Sequence, residues 1–187
     1  KPEFDKKSGK VTFKLSREPS PPVTVCPYCN QSISVSALHR AWTAKHVEVL
    51  DRLLSGDEGI VEEVKDTYLL AAIQLGRGKY KEPNEGDIKC LMKAASDLAK
   101  LAKKENIYEI IPVAEIPHDN EVFNKVRKYG IRHWFQLFTP RELLVLYKLI
   151  KYIRDRAEEL RSDLGELGVA VAIYLALAVS KTFNYNN

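Results

Sequence analysis

Apolar and polar positions alternate with period two near the start of the chain, where Val11, Phe13 and Leu15 interleave with Thr12, Lys14 and Ser16. That period belongs to a strand with one buried face. Ser8-Gly9 before it suits a hairpin turn, and Pro19, Pro21 and Pro22 end it because proline cannot donate to a ladder. From about residue 36 to 54 the spacing becomes helical. Leu38, Trp42, Val49 and Leu53 share one stripe, with Arg40, Lys45, Glu48 and Arg52 outside it. Gly56 and Gly59 break this run. Residues 67–75 are almost all apolar or β-capable and predict a buried strand, although periodicity leaves a helix open over 60–75. Gly76-Arg77-Gly78 turns that strand into a second one, Lys79-Tyr80-Lys81, stopped by Pro83.

Beyond Pro83 the pattern is mainly helical. Residues 85–104 form an amphipathic helix with Ile88, Leu91, Met92, Ala95, Leu98 and Leu101 or Ala102 inward. Residues 107–116 read as extended, bracketed by Pro112 and Pro117, and 120–129 as a short helix that Gly130 ends. Thr139-Pro140-Arg141-Glu142 combines an N-cap, a proline at the first helical position and a capping-box glutamate. The helix it opens should run to about residue 161. The last helix, about 164–182, is apolar around most of its girth and needs protein cover on nearly every side. The expected fold class is α+β, mainly α. Residues 1–83 form a β-rich region with a CPxC knuckle and one inserted helix, and 84–187 a helical region.

A length of 187 residues fits one domain, or one with an appendage. With 45% apolar and 29% charged residues, wholesale disorder is excluded. Three cysteines cannot build a disulfide framework, so a reducing, cytoplasmic setting is expected. The net charge of +4 permits an acidic partner without demanding one. The uncharged stretch 167–180 falls short of the roughly 20 residues that span a bilayer, so a core helix rather than a membrane anchor is expected. Lys1-Pro2-Glu3-Phe4-Asp5 lacks the apolar centre of a signal peptide. With no initial methionine and an apolar helix close to the last residue, the chain reads as a piece of a longer protein.

Cys26-Pro27-Tyr28-Cys29 places two thiols where both can face one tetrahedral ion. One pair is half of a structural site. Cys90, His39, His46, His118 and His133 form no second matched pair, and His39 and His46 stand seven apart. The pair is therefore half of a zinc ribbon whose other cysteines lie outside this chain, a relic knuckle without metal, or a redox pair. The last lacks the flanking strand and helix such pairs need. Cys90 is expected to be a buried small hydrophobe.

Basic residues gather twice. Arg77, Lys79 and Lys81 alternate onto one face near Tyr80, and residues 121–161 hold ten Lys or Arg against five acids. Lys128, Arg132, Arg141, Lys148 and Lys151 belong to this second group, where counterion release would favour a phosphate backbone. The competing reading is a set of ordinary solvated helix faces. Tyr129, His133, Trp134 and Phe135 could stack on unpaired bases. Alternatively, Trp134, Leu137 and Phe138 pack the start of the following helix. No nucleophile elbow, phosphate loop or His-Glu-x-x-His is present, and Glu62-Glu63 and Glu158-Glu159 sit in charge-rich helical contexts. No residue is assigned a catalytic role.

Several segments then line up in order. They are the CPxC pair, Gly76-Arg77-Gly78-Lys79-Tyr80-Lys81-Glu82-Pro83, Ile111-Pro112-Val113-Ala114-Glu115-Ile116-Pro117 and Lys128-Tyr129-Gly130-Ile131-Arg132. Leu137-Phe138-Thr139-Pro140-Arg141-Glu142-Leu143-Leu144 and Tyr174-Leu175-Ala176-Leu177-Ala178 come after them. From about Cys26 to Asn186 the chain resembles the interior of the adenine-specific DNA methyltransferases that contain a zinc ribbon. The resemblance implies a parent that uses S-adenosylmethionine to methylate the exocyclic amine of an extruded adenine. That family's Gly-rich cofactor motif and its Asp/Asn-Pro-Pro-Tyr motif lie before and after the stretch represented here, and neither is in this sequence. The ribbon's usual first cysteine pair is also absent. The resemblance thus implies an accessory module, holding DNA or positioning the catalytic portion of the parent, with at most half a zinc site and no cofactor site of its own. The alternatives are a non-catalytic nucleic-acid-binding module and a helical protein-interaction domain that docks through its apolar last helix.

Overall fold

Three two-stranded antiparallel hairpins and six α-helices are formed by the described residues in a computed structural model of the chain. These are residues 2–5, 10–13, 23–26, 28–68, 73–76, 79–81, 83–118 and 121–185. The protein is mainly helical with few strands. β1 (Pro2–Asp5) pairs with β2 (Lys10–Phe13), Pro2 opposite Phe13. Leu15, the Ser8-Gly9 turn and the prolines 19, 21 and 22 lie outside the described residues. β3 (Val23–Val25) pairs with β4 (Ser32–Ser34), and β5 (Ile73–Gly76) with β6 (Lys79–Lys81) through an irregular register between Gln74 and Gly76.

α1 (Val35–Leu54) starts where the Ser34 hydroxyl accepts the Ala37 N–H at 3.2 Å. Its inner face is Thr43, His46, Val49, Leu50, Leu53 and Leu54. The predicted stripe is half wrong, because Leu38 and Trp42 are 47% and 42% exposed. The first turns of α1 carry them past the core, and the Trp42 indole N–H is satisfied by the Thr67 carbonyl at 3.1 Å. A 3-10 turn (Glu58–Ile60) leads into α2 (Val61–Tyr68). Here the predicted strand is overturned at its start, where the helical alternative holds: Thr67 and Tyr68 are helical, while Ile73–Gly76 is strand. Ile60, Val64, Thr67 and Tyr68 are buried at a spacing of three to four residues, a helical period. Among its described residues the region before Pro83 thus holds two α-helices rather than one.

α3 (Glu85–Lys104) opens with a reciprocal capping box between Asn84 and Asp87, both bonds at 2.9 Å. Ala94, Ala95, Leu98 and Ala99 are its buried residues. Cys90 is exposed, against expectation, because the first two turns of α3 precede the point where the helix enters the core. The stretch predicted as extended from 107 begins instead with a 3-10 turn (Ile107–Glu109). Only its later part is extended, held by Ile116 N–H to Arg132 O at 2.8 Å and Trp134 N–H to Ala114 O at 3.1 Å. α4 (Glu121–Arg127) ends near Gly130, whose φ of +109° and N–H bond to Arg127 O turn the chain.

α5 (Pro140–Leu164) carries the predicted capping box at Thr139 and Glu142. Gly165, at φ +59°, connects it to α6 (Glu166–Tyr185), which packs back along α5. One continuous core holds Leu50 and Leu53 of α1, Val64 of α2, Leu98 of α3, Ile107, and Leu143 and Tyr147 of α5. The cover of α6 within this chain is incomplete. Leu167, Ile173, Tyr174 and Leu177 are exposed, Tyr174 at 74%. Its cover comes chiefly from α5, so one flank is packed and the rest of its girth faces outward. Among the described residues no helix is long and apolar enough to cross a membrane.

Candidate nucleic-acid interface

Lys93, Asp97, Lys100 and Lys104 recur every three or four residues along α3, so they form one stripe. α5 packs beside α3. This brings Lys148 toward Asp97 from the neighbouring helix. Lys93 Nζ donates to Asp97 Oδ2 at 2.9 Å, and that bond, with the fields of Lys148 and Lys100, holds the Asp97 carboxyl below its ordinary range. Lys93 thus bonds this carboxylate while the charges of Lys100 and Lys148 act on it from two helices, and all three lysines are exposed. The local excess is two positive charges on rigid helix. Lys93 and Lys100 were missed by reading the sequence for charge density alone. Their signal was positional: the recurrence with Lys104 on the outer stripe of an amphipathic helix.

The other expected cations are dispersed. Lys151 is ion-paired with Glu105 at 2.8 Å, so its charge is largely compensated locally. Arg141 is exposed in the first turn of α5. Lys128 and Arg132 are exposed beyond α4 and form no side-chain hydrogen bond or ion pair with other described residues. Lys79 and Lys81 lie on β6. Arg77 lies outside the described residues.

The aromatic residues proposed as base-stacking platforms have protein partners instead. Tyr129 meets His39 edge-on at 5.1 Å, Trp134 meets Phe123 edge-on at 5.0 Å, and His133 stacks with Phe135 at 5.7 Å. Phe138 is buried, as the packing alternative requires, with Trp134 and Leu137 half-buried, and Phe135 is buried beside them. Gln136 is buried too, its side-chain carbonyl accepting the N–H groups of Arg132 and His133 at 2.8 and 3.0 Å. This ties the loop carrying Arg132 to the start of α5.

Cys26 and Cys29 occupy the turn between β3 and β4. The turn is closed by Cys26 N–H to Gln31 O and Asn30 N–H to Cys26 O, both 2.9 Å, with Asn30 at φ +57°. The N–H groups of Cys29 and Tyr28, with the Cys29 thiol, donate to the Cys26 sulfur and lower its pKa. Amides aimed at a sulfur stabilise thiolate, the form that ligates metal. Two ligands still make half a tetrahedral site, and no cluster of three or more His, Cys, Asp or Glu gathers anywhere among the described residues.

Compared with known proteins, the chain matches no family model, no curated protein and no solved structure.

Proposed function

We propose that this chain is an accessory, non-catalytic module of an S-adenosylmethionine-dependent adenine-specific DNA methyltransferase, and that its task is to hold duplex DNA. The convergence of Lys93, Lys100 and Lys148 around Asp97 carries the reading. Cations carried on two packed helices present their charge to a phosphate backbone, and each neutralised phosphate releases counterions. S-adenosylmethionine belongs to the catalytic portion of the parent, which is this module's other partner. Cys26 and Cys29 act as a zinc knuckle contributing two of four ligands, the amide-stabilised Cys26 sulfur supporting that role. A cytoplasmic location accords with thiols kept reduced.

The exposed apolar flank of α6 favours a second reading, in which the module docks on polypeptide rather than on DNA. Salt separates the two. Binding of a fluorescent duplex should weaken linearly in log–log form as salt rises. Replacing Lys93, Lys100 and Lys148 with glutamine should flatten the slope by about 2, the local excess of charge. A slope near zero, or a triple variant indistinguishable from the parent sequence, defeats the DNA reading. Incubation of the chain with duplex DNA and S-adenosylmethionine should leave adenine unmethylated, and methyl transfer would overturn the accessory role.

A further inference from the structure

α5, α6 and the segments around residues 110–112 and 134–138 enclose a cavity of about 530 Å³, partly open to solvent. Ligand pockets span about 300–1,000 Å³ and are mostly apolar, with a few polar groups that orient the guest. This cavity has that composition. Ile110, Trp134, Ile150 and Val179 line it, while its polar side chains are Arg154 and Ser180. Leu146, Ile150 and Arg154 are successive turns of α5 along one wall, a run of roughly 12 Å at 1.5 Å per residue. The space is therefore a trough with the cation at one end.

Arg154 is held there. Its Nη1 donates to the Glu109 carbonyl at 2.9 Å, and no carboxylate of the described residues lies within ion-pair distance of it. A guanidinium has five N–H donors in a planar fork, so the remaining donors are left for an anionic guest. We propose that this trough is a binding site for a linear amphiphile with an anionic head, such as a medium-chain fatty acid. The tail lies along Ile150 toward Leu146, and the carboxylate pairs with Arg154 beside Ser180. Each methylene buried along the apolar wall adds to affinity, which suits a chain over a compact polar ligand. The site is independent of the basic stripe, and the proposal does not rest on the DNA reading.

Dodecanoate is the probe, titrated below its micelle concentration and followed by tryptophan fluorescence, because Trp134 lines the trough. Saturable one-site binding is expected. Trp134→Phe should abolish the fluorescence change, and calorimetry should still record binding. Arg154→Gln should weaken dodecanoate at least tenfold and leave dodecanol unchanged. Ala176→Phe, which fills the trough, should remove both. The surface position of Arg154 keeps the test valid should the Ala176 variant fail to fold. Absence of saturation, equal affinity for dodecylamine, or equal binding by the Arg154 variant overturns the proposal. Adsorption to phosphatidylglycerol vesicles without saturable dodecanoate binding also overturns it, in favour of a membrane surface.

Discussion

Nε2 of His46 on α1 lies 2.7 Å from the backbone carbonyl of Gln136, 90 residues further along the chain. A carbonyl can only accept, so Nε2 carries the proton. Nδ1, 2.6 Å from the Tyr68 hydroxyl, is then the acceptor and Tyr68 the donor. Trp42 stacks on the imidazole at 5.0 Å. One ring thus joins α1, α2 and the segment before α5, and only its neutral form matches both partners in these roles.

Burial lowers the His46 pKa below its ordinary 6.5, outweighing the Gln136 bond and the Glu142 field, which favour the cation. The unfolded chain therefore binds the proton more readily than the folded one. The stability this site contributes should be complete above about pH 6.5 and be lost as pH falls toward the folded value. Urea unfolding from neutral to mildly acidic pH measures it, compared with His46→Gln, whose amide can donate to Gln136 O and accept from Tyr68. The stability difference between the two proteins should shrink on acidification. A difference that does not change with pH contradicts this account.

Tyr147, 1% exposed, donates its hydroxyl to Glu105, and Lys151 Nζ donates to the same carboxylate oxygen at 2.8 Å. These bonds, Lys151 first and Tyr147 second, hold the Glu105 carboxyl below its ordinary range. Tyr147→Phe should cost about 1.5–3 kcal/mol, the usual worth of a hydrogen bond to a charged group. Its effect should fade as pH falls through the lowered Glu105 pKa, because the depressed carboxylate contributes only while ionised. Chemical denaturation at neutral and acidic pH tests both statements.

A methyl at Gly168 would sit 1.8 Å from the Leu160 carbonyl oxygen of α5, backbone that cannot yield as a flexible side chain can. Gly168→Ala should therefore force α6 away from α5 and destabilise the hairpin by about 1–3 kcal/mol. The trough between these helices changes shape with it, so dodecanoate affinity should fall in the same variant. Unchanged unfolding and binding would show that the close approach carries no weight.

Local chemistry was legible where a few adjacent residues suffice. The Thr139-Pro140-Arg141-Glu142 start of α5, the span of α3 and the β5–β6 hairpin follow from caps, periodicity and turn residues, which act within one or two turns of chain. The basic content of 121–161 was legible as well, but not its distribution. Only the packing of α5 beside α3 joins Lys148 to Lys93 and Lys100 and couples Lys151 to Glu105. Periodicity left both strand and helix open at Thr67 and Tyr68, and the helix packs Tyr68 on the His46 ring, a partner 22 residues away. The apolar girth of α6 implied burial, yet the hairpin at Gly165 gives it one flank of cover. By itself the sequence determined where helices start and which faces are apolar, because those depend on neighbours within a few residues. The tertiary structure decided which cations converge, which aromatic rings are occupied and where a trough remains, because those depend on distances between residues far apart in the chain.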